Sequence, residues 1–477
     1  MGKQTMTMNQ LIKSKINDSY QEIPLIVIIG ATGCGKTKLS IQLAKKYGGE
    51  VISADSMQIY KGLDIATNKA TIEEQSNVLH HLLDIIDPFK QFTVLDFQRN
   101  AMEKIEVILK RGNIPIIVGG TNYYIESILW DTLVGSVENF GDQLDIIPQK
   151  ENQDEDNHTK LSSIPLSDSI TTLEDLWNYE INYKNLSLVS SQLLHALLEK
   201  LDPISAKTLH PHNKRKIVRC LQVYQQTGKL FSNILAEQRK IGSRHGGPLR
   251  FSNSIILWVD CEKEVLDKRL DNRVDQMLEL GLLKELKQFH KDYNDRRLRE
   301  NRKADYTEGI FQAIGLKEFH NYLLLNEEEK ESYDGSLVLG NGILSLKQRT
   351  KAYVTKQLKW IRRRFLVSDS IRNVPNVYRL DTTFPDRWDI DVLDKSIRIV
   401  DLTIEALAST EERIRIAIWN ESLNPLAAAR LENDEDLDDS FISGQFYCDI
   451  CQCSVSGGKS YQMHLNSKGH KFMAKQS

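Results

Sequence analysis

The sequence predicts an α/β protein: a P-loop parallel-sheet core with a helical insertion and a helical C-terminal part, plus a small C2H2-type zinc finger. Three observations predict it. Apolar runs alternate with amphipathic stretches up to Trp130, as a parallel sheet with helical crossovers requires. Gly30-Ala31-Thr32-Gly33-Cys34-Gly35-Lys36-Thr37 matches G-x-x-x-x-G-K-T between a strand and a helix. Cys448-x2-Cys451-x12-His464-x5-His470 has the ligand types and spacing of a tetrahedral structural zinc site.

Taken in order, residues 1–20 carry Lys3, Lys13 and Lys15 but no Arg, and no hydrophobic signal precedes the first strand, so a flexible tail is expected. Segment 24–30 reads as a buried strand, 37–48 as an amphipathic helix ending at Gly48, and 50–55 as the next strand. A helix over 97–112 and a strand over 114–120 follow. Beyond Trp130 the pattern stops. Seven acids against Lys150 in 138–156, then a Ser- and Thr-rich 159–172, predict an insertion over 131–199, disordered first and helical from about Leu188. The strand at 254–260 returns to the core, which is therefore assigned to 21–130 and 200–262. Residues 263–365 read as helical, 366–440 as a linker ending in the acidic run 432–439, and 441–477 as the finger.

Charge and cysteine usage bound the function. Lys plus Arg is 62 against 65 Asp plus Glu, a net charge of −3, which excludes a uniformly basic nucleic-acid binder but not a local basic face. The helix at 347–364 supplies such a face, with eight Lys or Arg and no acid. A solvated helix face is the plainer reading of a charge run, but eight charges of one sign favour a polyanion surface. No apolar run is long enough to span a membrane. Six cysteines, three of them at 448, 451 and 453, suit a metal site in a reducing compartment better than a disulfide framework. A cytoplasmic protein is expected, with nucleus and mitochondria as alternatives, and a monomer.

In the phosphate loop, Gly30, Gly33 and Gly35 permit turns that aim N–H groups of Ala31, Thr32 and Cys34 at phosphate oxygens. Lys36 adds a full charge, the following helix its N-terminal partial charge, and the Thr37 hydroxyl a ligand for Mg2+. An ordinary ATPase also needs a later apolar strand ending in an acid. The strand at 114–120 ends instead in Gly119-Gly120-Thr121, and the nearest strand-end acid is Asp55. Ligands of open α/β sheets bind beyond the carboxyl ends of the strands, so Asp55 should face the phosphate site.

These residues carry a family resemblance. The loop at 30–37, Asp55-Ser56-Met57-Gln58-Ile59-Tyr60 and Gly119-Gly120-Thr121-Asn122-Tyr123-Tyr124 resemble the tRNA dimethylallyltransferases, also called tRNA isopentenyltransferases. So do Leu201-Asp202-Pro203, His210-Pro211, Arg219-Cys220-Leu221-Gln222-Val223-Tyr224, Arg273-Val274-Asp275, Gln312-Ala313-Ile314-Gly315 and Lys359-Trp360. The matches cover about 24–365 in the family's order, and the finger resembles the eukaryotic branch. The resemblance implies that Thr32, Lys36, Thr37 and Arg219 bind the diphosphate of dimethylallyl diphosphate. It makes Asp55 the general base, with Thr32 and Arg219 also catalytic. It places Asp55, Ser56, Met57, Gln58, Thr121, Arg215, Lys216 and Arg219 against the tRNA anticodon stem-loop, and makes 263–365 the helical tRNA-binding part. His212-Asn213 after the His-Pro, Gln222 for a common Glu and Lys216 for a frequent Arg depart from the pattern.

The implied chemistry is physically coherent. Diphosphate leaves only when its charge is neutralised, and an exocyclic adenine amine needs a carboxylate to orient it and accept its proton. Two readings compete: an adenylate prenyltransferase acting on free nucleotide, to which a basic helix and finger offer nothing, and a P-loop kinase or ATPase with an RNA-binding tail. Mg2+ for catalysis and Zn2+ for structure are the expected metals. Lys459, Lys468 and Lys471 favour an RNA contact for the finger over a protein contact.

Overall fold

The computed structural model describes residues 25–130, 170–183, 185–241, 249–300, 309–366, 374–408, 445–448 and 453–456. The expected tail at 1–20 and the acidic stretch at 138–156 lie outside these. The chain divides into two compact units, one holding Met1–Asp131 with Pro248–Asn424 and the other Thr132–Gly247 with Pro425–Ser477.

The first unit opens with β1 (Ile26–Gly30), fully buried because all five residues are apolar or Gly. Helix α1 (Lys36–Tyr47) follows; Leu39, Ile41, Leu43 and Ala44 face the sheet, and Gly48 in the left-handed region closes it. Then come β2 (Gly49–Ser53), β3 (His80–His81) and α2 (Val94–Lys110). Thr93 and Asp96 form a capping box that starts α2 three residues earlier than its apolar periodicity suggests. Strand β4 (Ile114–Val118) leads into α3 (Asn122–Leu129).

The chain then enters the second unit, where α4 (Leu173–Trp177), α5 (Ser191–Leu201), α6 (Pro203–Thr208), α7 (Lys214–Thr227) and α8 (Phe231–Ile241) bury their own core, including Ile181, Leu194, Leu198, Ile217 and Leu221. Asp202 caps α6, accepting the Ser205 N–H at 3.1 Å and hydroxyl at 2.7 Å, and its carboxylate also takes the Ser232 N–H at 2.9 Å. The expectation that 200–262 belongs to the sheet core is corrected here. Among the described residues, 200–241 belong with the insertion's helices, sharing their apolar core, and the sheet regains the chain only at β5 (Ile255–Asp260).

Back in the first unit, α9 (Lys263–Glu279), α10 (Leu282–Arg299) and α11 (Tyr333–Arg364) make the described residues of 263–365 mostly helical, and this region is continuous with the sheet unit. Helix α11 begins fourteen residues before 347. Its glycines masked that start; Gly342 is there because a Cβ would come within 2.8 Å of the Phe319 ring. The linker expected at 366–440 is also corrected. Within it, β6 (Val377–Asp381), a π-helical segment (Asp389–Asp394) and α12 (Lys395–Ala408) are folded parts of the first unit. Strand β6 escapes a sequence reading because it is an edge strand, with Arg379 and Asp381 exposed between buried neighbours.

The sheet is parallel throughout, in the order β3-β2-β4-β1-β5-β6. Pairing Ser53 with Val118 and Gly30 with Val259 brings the carboxyl ends of β2, β4, β1 and β5 to one rim. The loops that follow these strands make the site.

Candidate active site

The phosphate loop joins β1 to α1. Gly33 and Gly35 adopt φ of 85° and 88°, a region open to glycine at little cost. The Lys36 ammonium donates to the Ala31 carbonyl at 2.8 Å, curling back over the loop, and burial pushes it down to about 8. Cys34 is buried and its thiol is pushed up to about 12, so it packs as a neutral side chain. Thr37 is exposed in the first turn of α1.

Asp55 lies just past β2. One carboxylate oxygen accepts the N–H groups of Met57 at 2.9 Å and Gln58 at 3.3 Å, which fixes the side chain in a tight turn. The other points toward Gly120, where a Cβ would stand 3.8 Å from it. The glycine pair after β4 is steric: a Cβ on Gly119 would overlap the Ala54 carbonyl, and one on Gly120 the Gln357 amide. Thr121 ties the two loops together, since its hydroxyl accepts the Ser56 N–H at 3.0 Å and its own N–H donates to the Ala54 carbonyl at 3.1 Å.

Three further residues converge here from distant sequence. Gln357 on α11 is buried; its Oε1 accepts the Thr32 N–H at 3.0 Å and its Nε2 donates to the Gly120 carbonyl at 3.0 Å. Arg273 on α9 donates to the Thr32 hydroxyl at 3.2 Å; burial lowers its pKa while the Asp55 charge opposes that. Tyr353 hydrogen-bonds with Thr121 and Gln357, and burial together with the nearby Asp55 charge raises its phenol. Sequence reasoning assigned none of them a role. Arg273 stood inside a quoted motif and Gln357 three residues before Trp360, but only the fold brings both onto Thr32.

Comparison with known proteins decides what this rim belongs to. A model described as IPP transferase matches residues 58–364, and one described as isopentenyl transferase matches 23–91. The tRNA dimethylallyltransferase of Homo sapiens is 39% identical over 462 residues, covering 96% of this chain and 87% of that protein. This chain belongs to the tRNA dimethylallyltransferase family. It is a transferase. The Saccharomyces cerevisiae relative is 32% identical across 94% of this chain and 91% of its own length. A crystal structure described as a eukaryotic dimethylallyltransferase acting on tRNA superposes with a TM-score of 0.69 at 29% identity, covering 95% of this chain and 96% of that one.

For a dimethylallyltransferase the remaining sequence-predicted residues divide. Gln58 turns inward: its amide donates to the Thr67 and Asn68 carbonyls at 3.1 Å each and accepts the Ser53 hydroxyl at 3.2 Å, bracing the loop. Ser56 and Met57 are half-buried beside it. Strand β5, beside β1, also ends in an acid, Asp260. Arg379 on β6 neutralises that carboxylate at 2.8 Å, so it does not stand free as an ATPase's metal-organising acid would. The basic helix also needs correction. Four of its eight cations have acids from other elements: Lys347 with Asp275, Lys351 with Asp271, Arg349 with Glu318, and Arg364 with Glu126, the last pair buried at 2.6 Å. Lys356, Lys359, Arg362 and Arg363 are exposed.

Arg215, Lys216 and Arg219 share α7 in the second unit. The Arg215 guanidinium lies 5.2 Å over the Tyr183 ring. Arg219 is buried and donates to the Gln222 side chain at 2.9 Å, so the departure at 222 still provides an acceptor. At the C-terminus a model described as a zinc-finger double-stranded RNA-binding domain matches residues 445–471. Strands β7 (Gln445–Cys448) and β8 (Cys453–Ser456) pair antiparallel with Cys448 opposite Cys453. Cys451, His464 and His470 lie outside the described residues.

Proposed function

We propose that this enzyme transfers the dimethylallyl group of dimethylallyl diphosphate to the N6 amine of the tRNA adenosine just 3′ of the anticodon, releasing diphosphate. One observation carries the reading. Through Gln357 and Arg273 the phosphate loop and the Asp55 loop are locked to a common frame at Thr32 and Gly120. A leaving-group site and a carboxylate held in fixed relation are what a transfer between two substrates requires.

The bond from the prenyl C1 to the diphosphate oxygen breaks and a bond from N6 to C1 forms. The N6 proton passes to Asp55, and the electron pair of the broken bond leaves on diphosphate. Loop N–H groups, Lys36 and Arg273 stabilise that charge as it develops, and Arg219 is proposed to join them. The Asp55 oxygen on the Gly120 side is the one for the amine, because its partner is spent on the turn. A base in a folded anticodon loop must leave its stack, which costs a few kcal/mol. Exposed cations near the end of α11 and those of the finger would offset that through phosphate contacts.

Mg2+ fits the site in a limited way. Among the described residues no group of three His, Cys, Asp or Glu could hold a metal. Thr37 and the diphosphate oxygens would therefore be its ligands with water, and it would supply charge neutralisation to the leaving group. Zn2+ would be held in the finger by Cys448, Cys451, His464 and His470.

An adenylate prenyltransferase would use the same rim but leave the finger without purpose. A kinase or ATPase would want an unpaired acid where Asp260 is bound to Arg379. Incubation with labelled dimethylallyl diphosphate and either tRNA, AMP or no acceptor, followed by mass spectrometry of tRNA nucleosides, tests the reading. Label in AMP but not in tRNA would overturn it.

A further inference from the structure

The folded stretch at 374–408 lies against one face of the phosphate-loop helix. Trp388, almost fully buried, presents its ring edge to Gly35, where a Cβ would come within 2.8 Å of it. Its indole N–H donates to the Gln42 side chain at 2.8 Å, and the Lys38 ammonium sits 4.4 Å over the ring. Two turns beyond Lys38, the Tyr47 hydroxyl meets the Ile397 carbonyl at 3.0 Å and the Asp401 carboxylate at 2.8 Å. Contacts at 35, 38, 42 and 47 thus run the length of α1, and all come from one segment of chain 340 or more residues later in the sequence.

We infer that Trp388 is a positioning residue for the diphosphate site, acting through Gly35. The physical argument turns on what Gly35 does. At φ 88° it makes the last reversal of the loop before α1, so its backbone sets where the N–H groups of Lys36 and its neighbours point. A glycine in the left-handed region has no side chain to brace it and many conformations to choose from. The flat ring edge, filling the space a Cβ would take, limits that freedom, and the Gln42 bond fixes the ring. Glycine is needed at 35 twice over, for its φ and for the space the ring takes. The segment read from sequence as a linker is then part of the catalytic unit. The inference rests on the reading of the loop as the diphosphate site.

The test measures binding of inorganic diphosphate to the full-length protein by calorimetry, with steady-state constants for dimethylallyl diphosphate and tRNA alongside. Trp388→Ala should raise the diphosphate dissociation constant and the KM for dimethylallyl diphosphate about tenfold, because loop donors lose their common aim. The KM for tRNA should change little. Trp388→Phe keeps an aromatic ring but lacks both the distal indole edge that meets Gly35 and the Gln42 bond, and should recover only part of the affinity. Should the Ala variant fail to fold, as judged by circular dichroism, Gln42→Leu carries the test: it keeps the ring and removes only the bond that fixes it, so it should weaken diphosphate binding by a few-fold, and a wild-type dissociation constant would overturn the inference. A folded Trp388→Ala that binds diphosphate like the wild type overturns the inference while leaving the site reading intact. Wild-type protein that does not bind diphosphate overturns both.

Discussion

Gln357 accepts the backbone N–H of Thr32 through a side chain buried 325 residues further along the chain. A loop N–H that would otherwise be free to meet phosphate is therefore committed to the protein, and the same amide holds the Gly120 carbonyl beside Asp55. Gln357 sets the separation of the two loops. Its role follows from burial, since an amide with both ends satisfied inside a core has one orientation open to it.

Removing that brace has a predictable cost. Gln357→Leu keeps the volume but leaves the Thr32 N–H and the Gly120 carbonyl unpaired, at about 1–3 kcal/mol each where they stay buried. The variant should melt at lower temperature and show a raised KM for dimethylallyl diphosphate together with lowered kcat, because both loops drift. Wild-type kinetics in a destabilised protein would reduce Gln357 to a purely structural role.

Asp55→Ala should lose about 10²–10⁴ in turnover while retaining tRNA and diphosphate binding. Because Asp55 also anchors its own turn, Asp55→Asn is the sharper variant. Its oxygen can still accept the Met57 and Gln58 N–H groups, but it takes no proton. The two variants should be impaired alike. Single-turnover rates close to wild type for the Asn variant would remove Asp55 as the base.

Lys36 gives the free enzyme a pH signature. Burial lowers its ammonium to about 8, so the charge is complete well below that and is lost as pH rises through it. Affinity for inorganic diphosphate should fall between about pH 7 and about pH 9, and Lys36→Met should bind weakly at both. Stability moves the other way. The unfolded chain keeps the proton up to the ordinary 10.5, so between about 8 and 10.5 it binds more protons than the folded state, and the cost of burying the charged Lys36 is relieved as pH rises. Calorimetric titration across that range, with melting curves at each pH, checks both signs.

How far the sequence reaches is visible in these residues. The phosphate loop and Asp55 were legible because each is a local pattern at a strand end, where the short-range period and the glycines report directly on geometry. Gln357 and Trp388 were not, since each acts across more than two hundred residues and neither carries a local signature, and the local pattern around Arg273 does not point to Thr32. Strand β6 failed for a related reason: an edge strand with charged residues between apolar ones looks like a linker until its partner β5 is placed. The basic helix misled in the opposite direction, because the acids that pair with Lys347, Lys351 and Arg364 belong to other elements. Charge counted along one helix says little about which charges face water.

The finger supplies the last prediction. A module of 37 residues (441–477) buries too little apolar surface to fold alone, so chelation should unfold it and leave the sheet unit's melting transition in place. If it grips RNA, deleting 441–477 should raise the KM for tRNA and leave that for dimethylallyl diphosphate nearly unchanged. The deficit should widen with salt, because the exposed cations of α11 left to hold the backbone are screened as ionic strength rises. Substituting Cys451 and His464 together by Ala should reproduce the deletion, since without two of its four ligands the module loses its metal. A protein-docking finger predicts instead unchanged tRNA kinetics at every salt concentration. Steady-state constants for full-length, truncated and ligand-substituted enzyme at low and high salt separate the two, and equal KM values for tRNA throughout would end the RNA-gripping role.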